Sequence, residues 1–315
     1  MSAHAVPIVK YHGTGNDFLV VDAAARVPDR AAFARAHCDR ETGVSAAARL
    51  EPTDLDADAT VADATVADTT NGRRGADGVL FVSVEPGYTP TRVVMTLVQP
   101  DGSTADMCGN GARVVARWAH DRTGDREFMI DTQAGTRRAT VSTDGHEATI
   151  EMGVPRFDPR AVPVDADAPL VETPVEGLTI TAVDTGVPHA VAFLDPDEIG
   201  DVAIESVAPP VRHASVFPEG ANVNLAAIRE TEAGQGPVID QRTFERGVEG
   251  ETRSCGTGAV AVVAAARRIG LIDDETAVTR PPGGELTITA PDGERATLTG
   301  PVAREYAGRV PAVPR

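Results

Sequence analysis

Two cysteines of this chain stand in the same local setting. Cys108-Gly109-Asn110-Gly111-Ala112 and Cys255-Gly256-Thr257-Gly258-Ala259 share the pattern C-G-x-G-A, 147 positions apart counted from Cys108 to Cys255. Each follows strand-like sequence and opens a helix pattern rich in Ala and Val, so a thiol is expected at a helix N-terminus twice. At that position the backbone N–H groups lack intrahelical acceptors and the helix dipole presents its positive end. Both effects favour thiolate over thiol. The glycines let backbone come close to a ligand, and successive N–H groups form a nest for an anion such as a carboxylate. A held carboxylate flanked by two activated thiols suits the removal and return of an α-proton. The carbanion spreads charge onto the carboxylate, so the grip tightens as the transition state forms. Inversion needs a base on one face of the planar carbon and an acid on the other, and two thiols supply both. A hydrolytic enzyme would need only one. A lone free cysteine is ordinarily a small buried hydrophobe. Cys38, in A-H-C-D-R with neither glycine nor echo, is read that way.

The elements that must carry these thiols are legible from pattern. Residues 8–22 read as a strand, a G-T-G-N-D turn and a second strand. Residues 28–40 read as a helix with Pro28 in its first turn. From about 45 to 74 the chain turns Ala-, Asp- and Thr-rich with a tandem T-V-A-D-A and T-V-A-D-T, which predicts an exposed acidic insertion. Strands resume in G-V-L-F-V-S-V-E and R-V-V-M-T-L-V and lead into the first thiol helix. A three-strand meander follows, and a Pro-rich stretch from Pro155 to Pro174 predicts a crossing between domains. The second half repeats the style of the first, through L-T-I-T-A-V-D, P-H-A-V-A-F-L and A-N-V-N-L-A-A-I to the second thiol helix, two strands near Ala277 and Leu286, and a closing segment. Two similar halves are expected, one over 1–152 with 301–315 and the other over 153–300.

Composition narrows the partners. The 315 residues include 47 Asp and Glu against 29 Lys and Arg, a formal net charge of −18, and Lys10 is the only lysine. A surface this acidic repels phosphate backbones and anionic lipids, which argues against nucleic acid and membrane partners. Hydrophobic residues make up 42%, enough for a packed core, while aromatics are only 4%, so Val, Ala, Leu and Ile must fill it. No leader pattern opens the chain and no apolar run approaches membrane-spanning length. Three cysteines cannot all pair and match no zinc spacing, so a cytoplasmic enzyme with free thiols is expected.

The motifs G-T-G-N-D-F, G-A-D-G, D-G-S-T-A-D-M-C-G-N-G-A-R, E-R-G-V-E-G-E-T-R-S-C-G-T-G-A and P-P-G-G-E-L run in this order through the chain. In content and order they resemble the diaminopimelate epimerases. The resemblance implies an α/β (α+β) fold of two pseudo-symmetric domains, each a curved, mainly antiparallel sheet around a central helix, with the active site between them. It implies interconversion of LL- and meso-2,6-diaminopimelate in lysine biosynthesis by a homodimer that uses neither pyridoxal phosphate nor a metal. Residue by residue, Cys108 and Cys255 match the acid–base pair and His189 a histidine beside the thiols. Glu245 and Arg246 match groups that hold the distal end of the substrate, with Glu245 also among the catalytic set. Asn16 and Asn222 match substrate-binding amides, and Gly109, Asn110, Gly256 and Thr257 match donors to the reacting carboxylate. Two positions depart from the family pattern: Gln99 and Val187 stand where asparagine is usual. Both concern the distal end of the substrate, so the reaction type is better specified than the substrate.

Two other classes compete. A racemase of another amino acid on the same fold, such as a proline racemase, would have no distal group for Glu245, Arg246 and Asn222 to hold. Proline racemases also usually carry histidine where this chain has Asn110. A thiol–disulfide redox protein would be expected to carry C-x-x-C, which is absent.

The charge excess also predicts a salt response. Screening reaches about 30 Å at 0.01 M salt and about 3 Å at 1 M, so carboxylate repulsion spans a domain in dilute buffer and vanishes in brine. Thermal unfolding across a sodium chloride series should show stability rising by a few kcal/mol of the ~5–15 typical of a domain. A midpoint that stays flat from about 0.05 to 2 M would make the acidity a compositional accident.

Overall fold

The computed structural model describes residues 5–45, 73–229, 231 and 236–312; the acidic insertion expected over about 45–74 falls, for residues 46–72, outside them. The chain divides into two compact units, Met1–Ile150 with Gly300–Arg315, and Glu151–Thr299.

Unit 1 opens with the hairpin of β1 (Ala5–Gly13) and β2 (Asn16–Asp22). Its two-residue turn has positive φ at both positions, 52° at Thr14 and 80° at Gly15, the twist that matches right-handed strands. Helix α1 (Arg30–Cys38) begins two residues later than Pro28, because the Asp29 side chain accepts the Ala32 N–H and caps it there. Next come β3 (Gly78–Glu85), β4 (Thr91–Val98), the short β5 (Thr104–Ala105) and α2 (Gly109–Thr123). The meander β6 (Glu127–Thr132), β7 (Gly135–Val141) and β8 (Glu147–Gly153) completes the series.

Unit 2 contains β9 (Thr173–Val175), β10 (Leu178–Asp184), β11 (Pro188–Phe193), α3 (Ile204–Arg212) and β12 (Asn222–Arg229). It continues with β13 (Val238–Glu245), β14 (Gly250–Thr252), α4 (Gly256–Arg268), β15 (Thr276–Arg280), β16 (Leu286–Thr289) and β17 (Ala296–Pro301). The last strand, β18 (Ala303–Pro311), returns to unit 1 and pairs antiparallel with β1.

The two units repeat one wiring. In unit 1, β1–β2 is antiparallel, β2–β3 parallel, β3–β4 antiparallel, β4–β6 parallel and β6–β7–β8 antiparallel. In unit 2 the same succession runs β10–β11, β11–β12, β12–β13, β13–β15 and β15–β16–β17. Each parallel step needs a crossover, and the helices supply it: α1 and α3 at the first step, α2 and α4 at the second.

Each sheet curves around its second helix. Helix α2 packs against β1–β4, β6 and β7, and α4 against β10–β13, β15 and β16. A helix enclosed on all sides must be apolar all round. The run Ala259 to Ala266 in α4 is entirely Ala and Val and entirely buried, which lets the strands come close without large side chains. In α2 the interior instead takes one large residue, Trp118.

Two stretches escape a reading by pattern. Helix α3 carries Pro209 and Pro210 in its second half, residues that argue against helix in sequence. The closing segment holds β17 and β18, and β18 is defined by its pairing with a strand some 300 positions earlier (Ala5 with Pro311).

Unit 1 also buries charge. The only lysine, Lys10 on β1, lies 2.7 Å from Asp17 on β2, and neither side chain is exposed. Arg40 completes the cluster, 2.7 Å from Asp17 and in contact with Asp77. Burial alone would raise the Asp17 pKa, but hydrogen bonds from Arg40 and the charge of Lys10 outweigh it and hold the carboxyl below its ordinary range. A depressed carboxyl stabilises the fold fully above the unfolded pKa of about 3.9 and loses that contribution as pH falls through the lower folded value. Asp17→Asn should therefore cost about 3–5 kcal/mol in urea unfolding at neutral pH, by taking the shared anion from buried Lys10 and half-buried Arg40. The gap to wild type should begin to narrow below about pH 4 and close only below the depressed folded value; a gap independent of pH would refute the assignment.

Candidate active site

In unit 1, Cys108 is the N-cap of α2 in extended conformation (φ −145°, ψ 116°), and its Sγ accepts the Gly111 N–H at 3.4 Å. A sulfur thus takes the place usually held by a Ser, Thr or Asp oxygen. The first intrahelical bond runs from Ala112 N–H to the Cys108 carbonyl, so the N–H groups of Gly109 and Asn110 precede the helical ladder. Asn16, just past the β1–β2 turn, and Asn110 are brought together: the Asn110 amide donates to Asn16 Oδ1 at 2.5 Å. Asn16 Nδ2 donates in turn to Asp77 at 3.1 Å, and Asp77 also accepts the Asp17 N–H at 3.0 Å. Arg113 donates to Asn110 Oδ1 at 2.8 Å and to Thr14 Oγ1 at 2.9 Å. Gln99 lies in the turn after β4, where its amide donates to Ser103 Oγ at 3.2 Å.

In unit 2, Cys255 is the N-cap of α4, with its Sγ 3.4 Å from Thr257 Oγ1 and no side-chain capping bond. Burial, then the charge of Glu245, push this thiol well above the ordinary cysteine range. Glu245 ends β13 and accepts from Thr252 Oγ1 at 2.5 Å. Asn222 opens β12 and is used on both sides of its amide, accepting the Arg246 N–H at 2.8 Å and donating to the Pro188 carbonyl at 3.2 Å. Arg246 reaches the Glu219 carbonyl at 3.2 Å. Gly256 and Thr257 form the first turn of α4, and the Thr257 carbonyl accepts from Thr185 Oγ1 at 3.0 Å. Val187 stands in the β10–β11 turn, half-buried beside exposed Gly186.

His189 faces Asn222 in the β11–β12 register and is fully buried. Burial first, and the charge of Arg246 second, lower its pKa to about 3, so it is a neutral imidazole at physiological pH. Its partners settle the tautomer. Gln241 donates to Thr243 Oγ1 (3.0 Å), Thr243 to Asn224 Oδ1 (2.9 Å), and the Asn224 amide lies 3.0 Å from His189 Nδ1. That chain of donors makes Nδ1 the acceptor and leaves the proton on Nε2. Pattern reading missed Asn224, Gln241 and Thr243. A signal exists for Asn224, because Asn222 and Asn224 are two apart on β12 and therefore share a face.

The comparisons follow this geometry. The family model described as diaminopimelate epimerase matches residues 53–157 and 181–305. The diaminopimelate epimerase of Methanothrix thermoacetophila is 39% identical over 288 residues, covering 89% of this chain and 87% of its own. That of Methanocella arvoryzae is 36% identical, covering 97% and 96%. This chain belongs to the diaminopimelate epimerase family. Its relatives bear the name of an isomerase, and this chain is an isomerase with them. The motif resemblance and the expected α/β fold class both hold. Solved structures at lower identity share the fold: a PhzF-family phenazine biosynthesis protein of Bacillus anthracis (TM-score 0.60, 15% identity, 98% of this chain and 99% of that one) and a hydroxyproline epimerase of Agrobacterium vitis (TM-score 0.55, 18%, 98% and 93%). Among the described residues no three His, Cys, Asp or Glu side chains cluster as a metal site, and no helix is long and apolar enough to cross a membrane.

The two motif glycines are not sterically equivalent. A Cβ on Gly258 would lie 2.5 Å from Asn224 Oδ1 and 3.0 Å from Gln241 Nε2, inside the buried amide network. A Cβ on Gly111 would meet only Leu80 and Cys108, at 3.4 and 3.5 Å. Gly258→Ala should therefore destabilise unit 2 by about 1–3 kcal/mol. Gly111→Ala should be neutral or gain up to about 1 kcal/mol of helix propensity. Urea midpoints of the two variants that move together would contradict this.

Proposed function

We propose that this chain interconverts LL- and meso-2,6-diaminopimelate by a two-base proton transfer, with the Cys108 thiol on one face of the α-carbon and the Cys255 thiol on the other. The observation that carries the reading is that the thiols cap the two topologically equivalent helices. Each therefore stands at a helix N-terminus, where the first N–H groups precede the intrahelical ladder. The substrate carboxylate is held by the N–H groups at Gly109 and Asn110 and at Gly256 and Thr257. The charge that develops on it during proton removal meets dipoles already oriented, so little reorganisation accompanies the step.

The two thiols start in different protonation states in this reading. Cys108, bonded as an acceptor to the Gly111 N–H, is the base; Cys255, buried beside Glu245, keeps its proton and is the acid. Neutral His189 adds a donor that is not itself charged, and the charge of Glu245 keeps the proton on the second thiol until the carbanion takes it. Neither step calls on pyridoxal phosphate or a metal. Asn16, Gln99, Asn222, Glu245 and Arg246 are assigned to the rest of the substrate, Gln99 being a longer amide than the family's usual asparagine. Lysine biosynthesis is the pathway that goes with this reading. A cytoplasmic homodimer is the accompanying reading.

Purified protein with LL-diaminopimelate in D₂O should place deuterium at the α-carbon as the meso isomer accumulates. Cys108→Ser and Cys255→Ser should each lower net inversion by at least a thousandfold. Turnover within about tenfold of wild type in either variant, a barrier change of only ~1.4 kcal/mol, would refute the two-base assignment.

A further inference from the structure

Arg113 lies one turn into α2, completely buried, and among the described residues it has no carboxylate partner. The charged and titratable groups on the elements packed around α2 are Lys10, Tyr11 and His12 on β1, Asp17 and Asp22 on β2, Glu85 on β3, Arg92 on β4, Glu127 and Asp131 on β6, and Arg137 and Arg138 on β7. Those acids that make ion pairs in unit 1 make them elsewhere: Asp17 with Lys10 and Arg40, Glu85 and Asp131 with Arg92, and Glu127 with Arg138. On α2 itself Asp121 is bound to Arg117. The guanidinium is left with two neutral acceptors, Thr14 Oγ1 and Asn110 Oδ1, while its Nε and Nη1 have no hydrogen-bond partner. Long side chains in a helix lean back toward its N-terminus, and the bond to Asn110 shows that this one does, toward the turn capped by Cys108. Gly13 makes room: a Cβ there would stand 3.3 Å from Arg113 Nη2 and 2.9 Å from the Pro301 carbonyl.

A buried cation without an anion is costly and persists only where another charge repays it. Among the described residues, the group whose negative charge acts on Arg113 is Cys108; burial lowers the Arg113 pKa to about 10 and Cys108 opposes that shift. Unit 2 has no counterpart, since the residue five places beyond Cys255 is Val260 and the neutral His189–Asn224 network occupies the interior. We infer that Arg113 is a positioning residue for the base: its buried, carboxylate-free guanidinium stabilises the Cys108 thiolate from inside α2 and, through Asn110 and Thr14, fixes the first turn that holds the substrate carboxylate. This deepens the two-base reading and rests on it for the role of Cys108. It also makes the two thiols unequal by design, one beside a cation and the other beside Glu245.

The test reads the thiols directly. Substrate-free protein is alkylated with iodoacetamide across a pH series and each cysteine is followed by mass spectrometry. Wild-type Cys108 should react with a midpoint below the ordinary ~8.5, while buried Cys38 stays inert. Arg113→Met should raise the Cys108 midpoint by at least one pH unit, a tenfold loss of thiolate on the rising limb, and Arg113→Lys should restore most of it. Arg113→Gln, which keeps an amide donor for Thr14 and Asn110, serves as the neutral variant if the Met variant does not fold. A wild-type midpoint at or above about 8.5 overturns the inference without any variant, and so does a folded neutral variant whose midpoint is unchanged. The readout does not use turnover. Inversion surviving in Cys108→Ser would remove the two-base reading while leaving the Arg113–Cys108 pairing standing, and an unmoved midpoint beside an inactive Cys108→Ser would do the reverse.

Discussion

An α-helix cannot satisfy its own first N–H groups, and this molecule is organised around that deficit at two places. Cys108 and Cys255 occupy the capping position where an oxygen side chain would ordinarily close the gap. In unit 1 the sulfur takes that place and accepts the Gly111 N–H. A central helix wrapped by a curved sheet is buried on all faces, which is why the run Ala259 to Ala266 of α4 is Ala and Val only.

The same topology carries two different interiors. In unit 1 the base of the helix is lined by a cation and amides: Arg113, Asn110, Asn16 and Thr14. In unit 2 it is lined by a chain of neutral donors ending at His189, with a carboxylate, Glu245, acting on the thiol. The pseudo-equivalent positions show the divergence directly: a Cβ on Gly111 would touch Leu80, and one on Gly258 would strike Asn224. The frame is shared, and the polar lining distinguishes one thiol from the other. The proposed inversion needs that difference, since two identical thiolates would leave no acid to return the proton.

The join around the acidic segment illustrates a further economy. Gly75 N–H donates to the Val44 carbonyl at 2.7 Å, and Ala76 N–H to the Cys38 carbonyl at 3.1 Å, so the chain meets itself across positions 44 and 75. Gly75 has φ +67°, and a Cβ there would lie 2.2 Å from the Cys38 carbonyl oxygen, so only glycine fits. Asp77, two residues on, still reaches Asn16 and Arg40.

What sequence alone determined is what short-range pattern encodes. The C-G-x-G-A echo announced two thiol-capped helices rich in Ala and Val, and the G-T-G-N-D turn announced the break between the first two strands. The family, and with it the fold class, was legible because motifs spaced through the whole chain kept their order. Tertiary structure alone decided the partners. It showed that β18 closes on β1, that α3 forms despite Pro209 and Pro210, and that His189 is made neutral by burial among Asn224, Thr243 and Gln241. It also showed that Arg113, an unremarked member of a motif, is buried without a carboxylate. Periodicity reports which face of an element is apolar. Whether a charge is paired, and how far a pKa moves, depends on atoms brought together from distant positions, and no local pattern records that.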